Sequence, residues 1–214
     1  MMNISVIGAG YVGLITGIGF AKLNHQVSIV DLNDDLIKNL NENRPPFYEP
    51  ELVDYLNDSN IRNNLFFSTS YQKSINENTD IVFVCVQTPT DPDTGKTKTD
   101  YISSALTELK KIESFNFIIC IKSTIKSTLV EKISNEIDLD YKKIIFNPEF
   151  LREGSAFYDF FNPDRIVIGG SDQKGLNQCT ELYKSFDCEK IITDSNSSQM
   201  IKYLSNTYLA MRLS

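Results

Sequence analysis

Histidine and cysteine are scarce in this sequence, and tryptophan is missing altogether. The one histidine, His25, and four scattered cysteines (Cys85, Cys120, Cys179 and Cys188) offer no pair at metal-ligand spacing, so no metal site is expected. Cys85 and Cys120 fall inside apolar strand patterns, and all four thiols read as small apolar packing groups. His25 lies in a turn before a strand and is expected to be solvated. No apolar run is long enough to cross a bilayer. The amino terminus lacks a basic stretch followed by a cleavable apolar one, its apolar run being already a strand, so the expected location is cytoplasmic. Cations are in deficit as well: 21 Lys and Arg face 28 Asp and Glu, for a formal net charge of −7. That balance argues against a nucleic-acid or anionic-membrane partner. Repeats, low-complexity tracts and flexible linkers are also missing, and 214 residues leave room for one large or two small domains.

What is present is organised around the start of the chain. Ile4-Ser5-Val6-Ile7 reads as a buried strand running into Gly8, Gly10 and Gly13 at G-x-G-x-x-G spacing. An apolar helix pattern (Leu14, Ile15, Ile18, Phe20, Leu23) follows. In that setting Gly8 permits a tight turn, Gly10 lets a pyrophosphate approach the backbone, and Gly13 lets the helix pack closely. The free N–H groups at the helix start suit phosphate. A second strand, Gln26 to Val30, ends in Asp31, near the spacing expected of the acid that binds an adenosine ribose. Nothing basic follows Asp31 (Leu32, Asn33, Asp34, Asp35), which selects NAD over NADP.

Strand and helix patterns then alternate, predicting an α/β protein with a Rossmann-type, doubly wound, mainly parallel sheet and helices on both faces. Helical stretches are expected over 34–40, from about Glu49 to Leu52, over 101–112, around Leu129 to Ile133, over 175–186 and from about Ser197. Strands are expected at 65–68, 80–86, 115–121, 143–146, 165–170 and 190–192, with Ser70 capping a helix after the first of these. Ligands of such sheets bind outside the carboxyl ends of the strands. The polar clusters fall there: the glycine turn, Asp31, Thr88, Lys122 to Thr124, and Glu149 to Glu153.

Gly8 to Leu14, Thr88-Pro89-Thr90, Lys122-Ser123-Thr124, Asn147 to Ala156 (NPEFLREGSA), Pro163-Asp164-Arg165, and Lys202 with Asn206 to Ala210 occur together and in this order. In this they resemble the nucleotide-sugar 6-dehydrogenases, the UDP-glucose and GDP-mannose dehydrogenases, over essentially the whole chain. NPEFLREG is the specific part; the glycine motif alone fits many dehydrogenases. The resemblance implies oxidation of the C6 alcohol of a nucleotide sugar to a carboxylate with two NAD and one water. A cysteine thiolate would hold the aldehyde level covalently. It also implies NAD contacts from Gly8, Gly10, Tyr11, Val12, Gly13, Asp31, Thr88, Thr124 and Glu153. The substrate would lie along Glu149, Phe150, Leu151, Arg152 and Glu153. Catalytic roles would fall to Thr124, which orients water, to Glu149 in proton transfer and hydrolysis, and to Lys202 and Asn206, which stabilise an oxyanion.

The closing helix places Lys202 and Asn206 four apart on one face, with Met200, Leu204 and Met211 opposite. This predicts a helix packed on one side with a polar pair on the other. Three positions depart from the family pattern: Ile125-Lys126-Ser127-Thr128 replaces a proline-glycine turn, Gln199 a common glutamate, and Leu36 a basic residue. None of the four cysteines lies in the glycine-rich GGxC-like setting of the family thiol. The expected organisation is therefore an NAD-binding domain over 1–194, then the start of a central connecting helix over 195–214, with the substrate domain and its thiol lying outside these residues. UDP-glucose is the expected substrate. GDP-mannose, a UDP-N-acetylhexosamine, or a stand-alone NAD-binding module remain as alternatives, and homodimerisation through the central helix is expected from the family.

Overall fold

A computed structural model describes residues 1–112 and 116–213. Eight strands form one sheet in the order β3-β2-β1-β4-β5-β6-β7-β8. They are β1 (Asn3–Ile7), β2 (Gln26–Val30), β3 (Leu65–Ser68), β4 (Ile81–Val84), β5 (Ile118–Ile121), β6 (Ile144–Phe146), β7 (Arg165–Gly169) and β8 (Glu189–Thr193). The helices are α1 (Tyr11–Lys22), α2 (Asp34–Asn41), α3 (Leu52–Asn57), α4 (Ser59–Arg62), α5 (Tyr71–Ser74), α6 (Asp100–Lys110), α7 (Ser127–Glu136), α8 (Ala156–Phe161), α9 (Gln173–Leu182) and α10 (Ser195–Leu213). The expected Rossmann-type architecture is thus observed. Phe115, the expected start of the fifth strand, lies outside the described residues, and the closing helix begins two residues earlier than its pattern suggested.

Strand alternation sends side chains to two cores. Ile4, Val6, Ile81 and Phe83 pack with α1 on one face. Ile7, Val82, Val84, Ile119 and Ile121 pack with Ile102, Leu106 and Val130 of α6 and α7 on the other. Because both faces are covered, the central strands are continuously apolar rather than alternating. Helix α1 is sunk between sheet and α8, so nearly its whole circumference is buried, and it reads as uniformly apolar rather than amphipathic.

The first six strands are parallel, but β7 is antiparallel to β6, through Phe146 opposite Gly169, and β8 is parallel to β7. This reversal matters for the site. The side-chain amide of Asn147 donates to the Val167 carbonyl (2.8 Å), so β7 continues past the end of β6 and carries Arg165 over the Phe150 ring at 4.4 Å. The segment leaving β6 is thereby walled by the strand that follows it.

His25 is not simply solvated. Its Nδ1 accepts the Met2 N–H (3.1 Å) and its ring stands edge-on to Phe20, and burial lowers its pKa from the usual value. Cys85, Cys120 and Cys179 are buried and Cys188 is half-buried, all as free thiols, consistent with packing roles. Among the described residues no helix is long and apolar enough to cross a membrane, and no cluster of His, Cys, Asp or Glu could hold a metal.

Candidate active site

The glycine turn has the geometry its spacing demands. Gly8 leaves β1 at φ +98, where a side chain is strained, and a Cβ there would lie 2.7 Å from the Cys85 carbonyl oxygen. A Cβ at Gly13 would lie 1.9 Å from the Gly8 carbonyl oxygen, so α1 packs directly on the turn itself. Around Gly10, by contrast, a Cβ would meet nothing within 4 Å. Gly10 also starts α1 without a side-chain hydrogen bond to the helix, which leaves first-turn N–H groups for an anion. The turn is thus rigid on both sides of an open approach, the shape a pyrophosphate requires. Val12 packs inward against the core, and the Tyr11 ring lies 5.2 Å from that of Phe47.

Asp31 closes the far side of this turn. Its Oδ2 accepts the Ala9 N–H (2.8 Å) and its Oδ1 the Asn33 N–H (3.0 Å). One carboxylate at the end of β2 therefore fixes the turn after β1 while remaining partly exposed. Leu36, where the family pattern has a basic residue, packs against the core.

Along the same sheet edge, the Thr88 hydroxyl donates to the Thr124 carbonyl (2.9 Å), and Ser123 donates to the Val86 carbonyl (2.6 Å). The loops after β4 and β5 are thus pinned to each other. The departure at Ile125 to Thr128 has a structural counterpart: the Ile125 N–H meets Gln199 Oε1 (3.4 Å), and Ser127 is hydrogen-bonded to Asn196. Both contacts bind this loop to α10. Gln199 replaces the family's glutamate as a buried acceptor there.

Beyond β6 opens a cavity of about 540 Å³, lined by Asn147 to Arg152, by Pro163 to Ile166 and by Lys202, Ser205, Asn206 and Leu209 of α10. At its centre the Lys202 ammonium pairs with Glu149 Oε1 (2.8 Å), and Glu149 Oε2 accepts the Leu151 N–H (2.6 Å). Lys202 is 7% exposed and Glu149 15%, so the pair is largely withdrawn from water. The Arg165 guanidinium and the Lys202 ammonium both lie over the Phe150 ring, at 4.4 and 5.3 Å from its centroid. Beneath it, buried Lys122 donates to Asn147 Oδ1 (3.0 Å), which also accepts the Tyr183 hydroxyl (2.6 Å).

Glu149, Phe150, Leu151, Arg152, Lys202 and Asn206 therefore share one cavity. Thr88 and Thr124 lie in the loops that follow β4 and β5, joined to α10 through Ile125. Glu153 is exposed. The Arg152 guanidinium is held bidentate by Asp159 (2.6 and 3.0 Å) rather than free. Burial pushes the Asp159 carboxyl up, but the bonds from Arg152 outweigh it and hold the pKa below the usual value.

Two findings differ from expectation. The side of α10 that packs on the domain is the polar one: Ser198, Gln199 and Lys202 are buried, while Met200 and Leu204 are 55% and 61% exposed. Helical periodicity separated the two faces but could not say which was inward. Lys202 is drawn in by Glu149 and Phe150, partners that no local pattern reveals. The second is Glu49, read only as part of a helix start. It is buried and accepts from the Tyr11 hydroxyl and from the Gly154 and Ala156 N–H groups. A carboxylate between Phe47-Tyr48 and Pro50 was the only available signal.

Comparison with known proteins agrees with this geometry. Residues 2–187 match the UDP-glucose/GDP-mannose dehydrogenase family, NAD binding domain. A UDP-glucose 6-dehydrogenase of Bacillus subtilis is 36% identical over all of this chain and 49% of its own length. Among solved structures, a ternary complex of GDP-mannose dehydrogenase from Pseudomonas aeruginosa superposes with TM-score 0.91 at 28% identity, over 99% of this chain and 51% of that one. A UDP-glucose dehydrogenase from the archaeon Pyrobaculum islandicum gives 0.88 at 35% identity, over 98% and 50%. The chain spans about half the length of these relatives.

Proposed function

This chain belongs to the UDP-glucose/GDP-mannose dehydrogenase family as its NAD-binding domain, and from that premise we propose that it serves the oxidation of the UDP-glucose C6 alcohol to the carboxylate of UDP-glucuronate, at the expense of two NAD. The carrying observation is that two half-sites meet: the Tyr11 hydroxyl, at the start of α1, lies 3.1 Å from the carbonyl of Arg152, which lines the cavity. One half-site is the glycine turn braced by Asp31; the other is the cavity holding the Glu149–Lys202 pair.

NAD, when bound, supplies the hydride acceptor. Asp31 would take the adenosine ribose, and Gly10 with the first-turn amides of α1 the pyrophosphate. Thr88 and Thr124 would flank the nicotinamide end. Within the cavity, removal of hydride from C6 requires that the alcohol proton leave. Glu149 would take it, directly or through water. Lys202 and Asn206 would stabilise negative charge on the C6 oxygen as the carbon changes geometry. For Lys202 to do so it must turn from Glu149 toward substrate, which exchanges one anionic partner for another in a water-poor site. Burial pushes the Cys85 thiol up to about 12, so it is not poised as a nucleophile. Cys120 and Cys179 are buried as well, Cys188 packs against the core, and no cysteine lines the cavity, so the covalent step calls for a thiol outside these residues.

The expected result is that the 214-residue polypeptide binds NAD by calorimetric titration but forms no NADH from UDP-glucose. NADH production by this polypeptide alone would overturn the assignment of the thiol. The likeness to GDP-mannose dehydrogenase supports GDP-mannose as a second substrate, separable from UDP-glucose by which sugar is turned over when the companion half is supplied. Self-association through the exposed Met200–Leu204 face of α10 is supported by its apolar character and testable by size-exclusion chromatography across concentration.

A further inference from the structure

Glu49 lies in neither half-site, yet touches both. The residue is 4% exposed, and its carboxylate takes part in none of the ion pairs found among the described residues. Its charge is met instead by three donors. Oε2 accepts the Tyr11 hydroxyl (2.9 Å) and the Gly154 N–H (2.9 Å), while Oε1 accepts the Ala156 N–H (2.8 Å). The Tyr11 hydroxyl is also 3.1 Å from the Arg152 carbonyl. Tyr11 is the first residue of α1, immediately after Gly10, whereas Arg152 to Ala156 continue the segment that lines the sugar-facing cavity. No backbone hydrogen bond joins these two stretches among the described residues.

The chain beside it is also in an uncommon conformation: Glu51, at the start of α3, takes φ +67, a left-handed conformation that non-glycine residues rarely adopt. Packing alone does not ask for this arrangement, because Leu52 and Leu56 of α3 already anchor the segment in the core. A buried carboxylate hydrogen-bonded to two separate segments is better explained by the connection it makes.

We propose that Glu49 is a positioning residue that couples the glycine turn to the sugar-facing segment, so that occupation of the turn by NAD orders residues 152–156. The coupling runs from the start of α1 through the Tyr11 hydroxyl to the carboxylate, and from there to the Gly154 and Ala156 amides. It rests on the NAD-binding reading given above. Each ligand would then raise the affinity for the other, giving positive cooperativity between the two.

The test is amide hydrogen exchange on the 214-residue chain with and without NAD, each variant saturated according to its own measured Kd. In the native chain NAD is expected to slow exchange at Gly154 and Ala156 about tenfold or more, the change produced by roughly 1.4 kcal/mol of added local stability. In Glu49→Gln the amide that loses its acceptor is expected to exchange about ten- to hundredfold faster even without NAD. In Tyr11→Phe, which keeps the carboxylate and both amides, protection without NAD persists but the NAD-dependent increment disappears. Unaltered protection of Val6 and Phe83 in the core strands certifies that a variant is folded. If Glu49→Gln fails that control, Tyr11→Phe carries the decision. A native chain that binds NAD without protecting 152–156, or a Tyr11→Phe chain that keeps the full increment, overturns the coupling and leaves the NAD reading intact. A native chain that does not bind NAD overturns both.

Discussion

Replacing Gly10 by alanine and Gly13 by alanine separates ligand space from packing space within four residues. At Gly13 the new Cβ would sit 1.9 Å from a backbone oxygen and 3.3 Å from the Cys85 Cβ, and backbone cannot step aside as a flexible side chain can. With α1 buried almost all round, the overlap is relieved only by moving the helix, at a cost of about 3 kcal/mol or more. For a chain of this size that lowers Tm by about 6–12 °C. At Gly10 nothing lies within 4 Å and φ is −75, a conformation alanine accepts readily. Losing glycine at the helix start costs about 0.5–1 kcal/mol, and the stiffer unfolded chain returns a similar amount. Gly10→Ala is therefore expected to melt within about 2 °C of the parent. Its methyl, however, would occupy the space open to a pyrophosphate. The assay is thermal melting with and without NAD. At 100 times Kd the parent gains about 2.7 kcal/mol, or roughly 5–11 °C, and Gly10→Ala is expected to lose nearly all of this shift. Gly10→Ala with an undiminished NAD-induced shift would refute the phosphate assignment. Gly13→Ala with a parental Tm would refute the packing argument.

Asp31→Asn leaves the Ala9 amide an oxygen acceptor but removes the charge that faces a ribose. It is expected to weaken NAD about tenfold and to raise the ratio of NADP to NAD affinity, read by titrating both nucleotides. Lys202→Met strands the Glu149 carboxylate in a site where it is 15% exposed with only the Leu151 N–H remaining, and should cost about 3 kcal/mol in denaturant unfolding. Adding Glu149→Gln should restore part of that loss, and strict additivity would show the pair to be uncoupled. His25 has its pKa lowered by burial and then by the nearby amino terminus, so the unfolded chain takes up a proton that the folded chain resists. Its contribution to stability is full above the unfolded value near 6.5 and is lost as pH falls through 6.5 toward the folded value. The predicted decline between pH 7 and 5 is shallow because the ring is partly solvated, and His25→Asn should flatten it.

The strands and the cofactor turn were legible because their signals are local. A strand covered on both faces must be continuously apolar, as Ile81 to Val84 is. A turn whose Cβ would meet a backbone oxygen must be glycine, as at Gly8 and Gly13. Asp31 was legible for the same reason: a fixed helix length sets the distance from the turn to the end of the next strand. The segment from Asn147 to Ala156 was recognisable by resemblance, but its internal commitments were not. That Arg152 is held by Asp159, and Glu149 by Lys202, depends on where α8 and α10 come to rest.

By itself the sequence determined a doubly wound α/β chain with a dinucleotide turn, since periodicity, glycine spacing and strand-end polarity act over a few residues. Only the tertiary structure decided the rest: the reversal of β7 that walls the cavity, the inward turn of the polar face of α10, and the burial of Glu49 between two segments more than a hundred residues apart in one case and under forty in the other. These are matters of partnership between distant groups. A buried carboxylate or ammonium is stable only beside the donors or counter-charge that folding delivers, and nothing in its own neighbourhood along the chain announces which those will be.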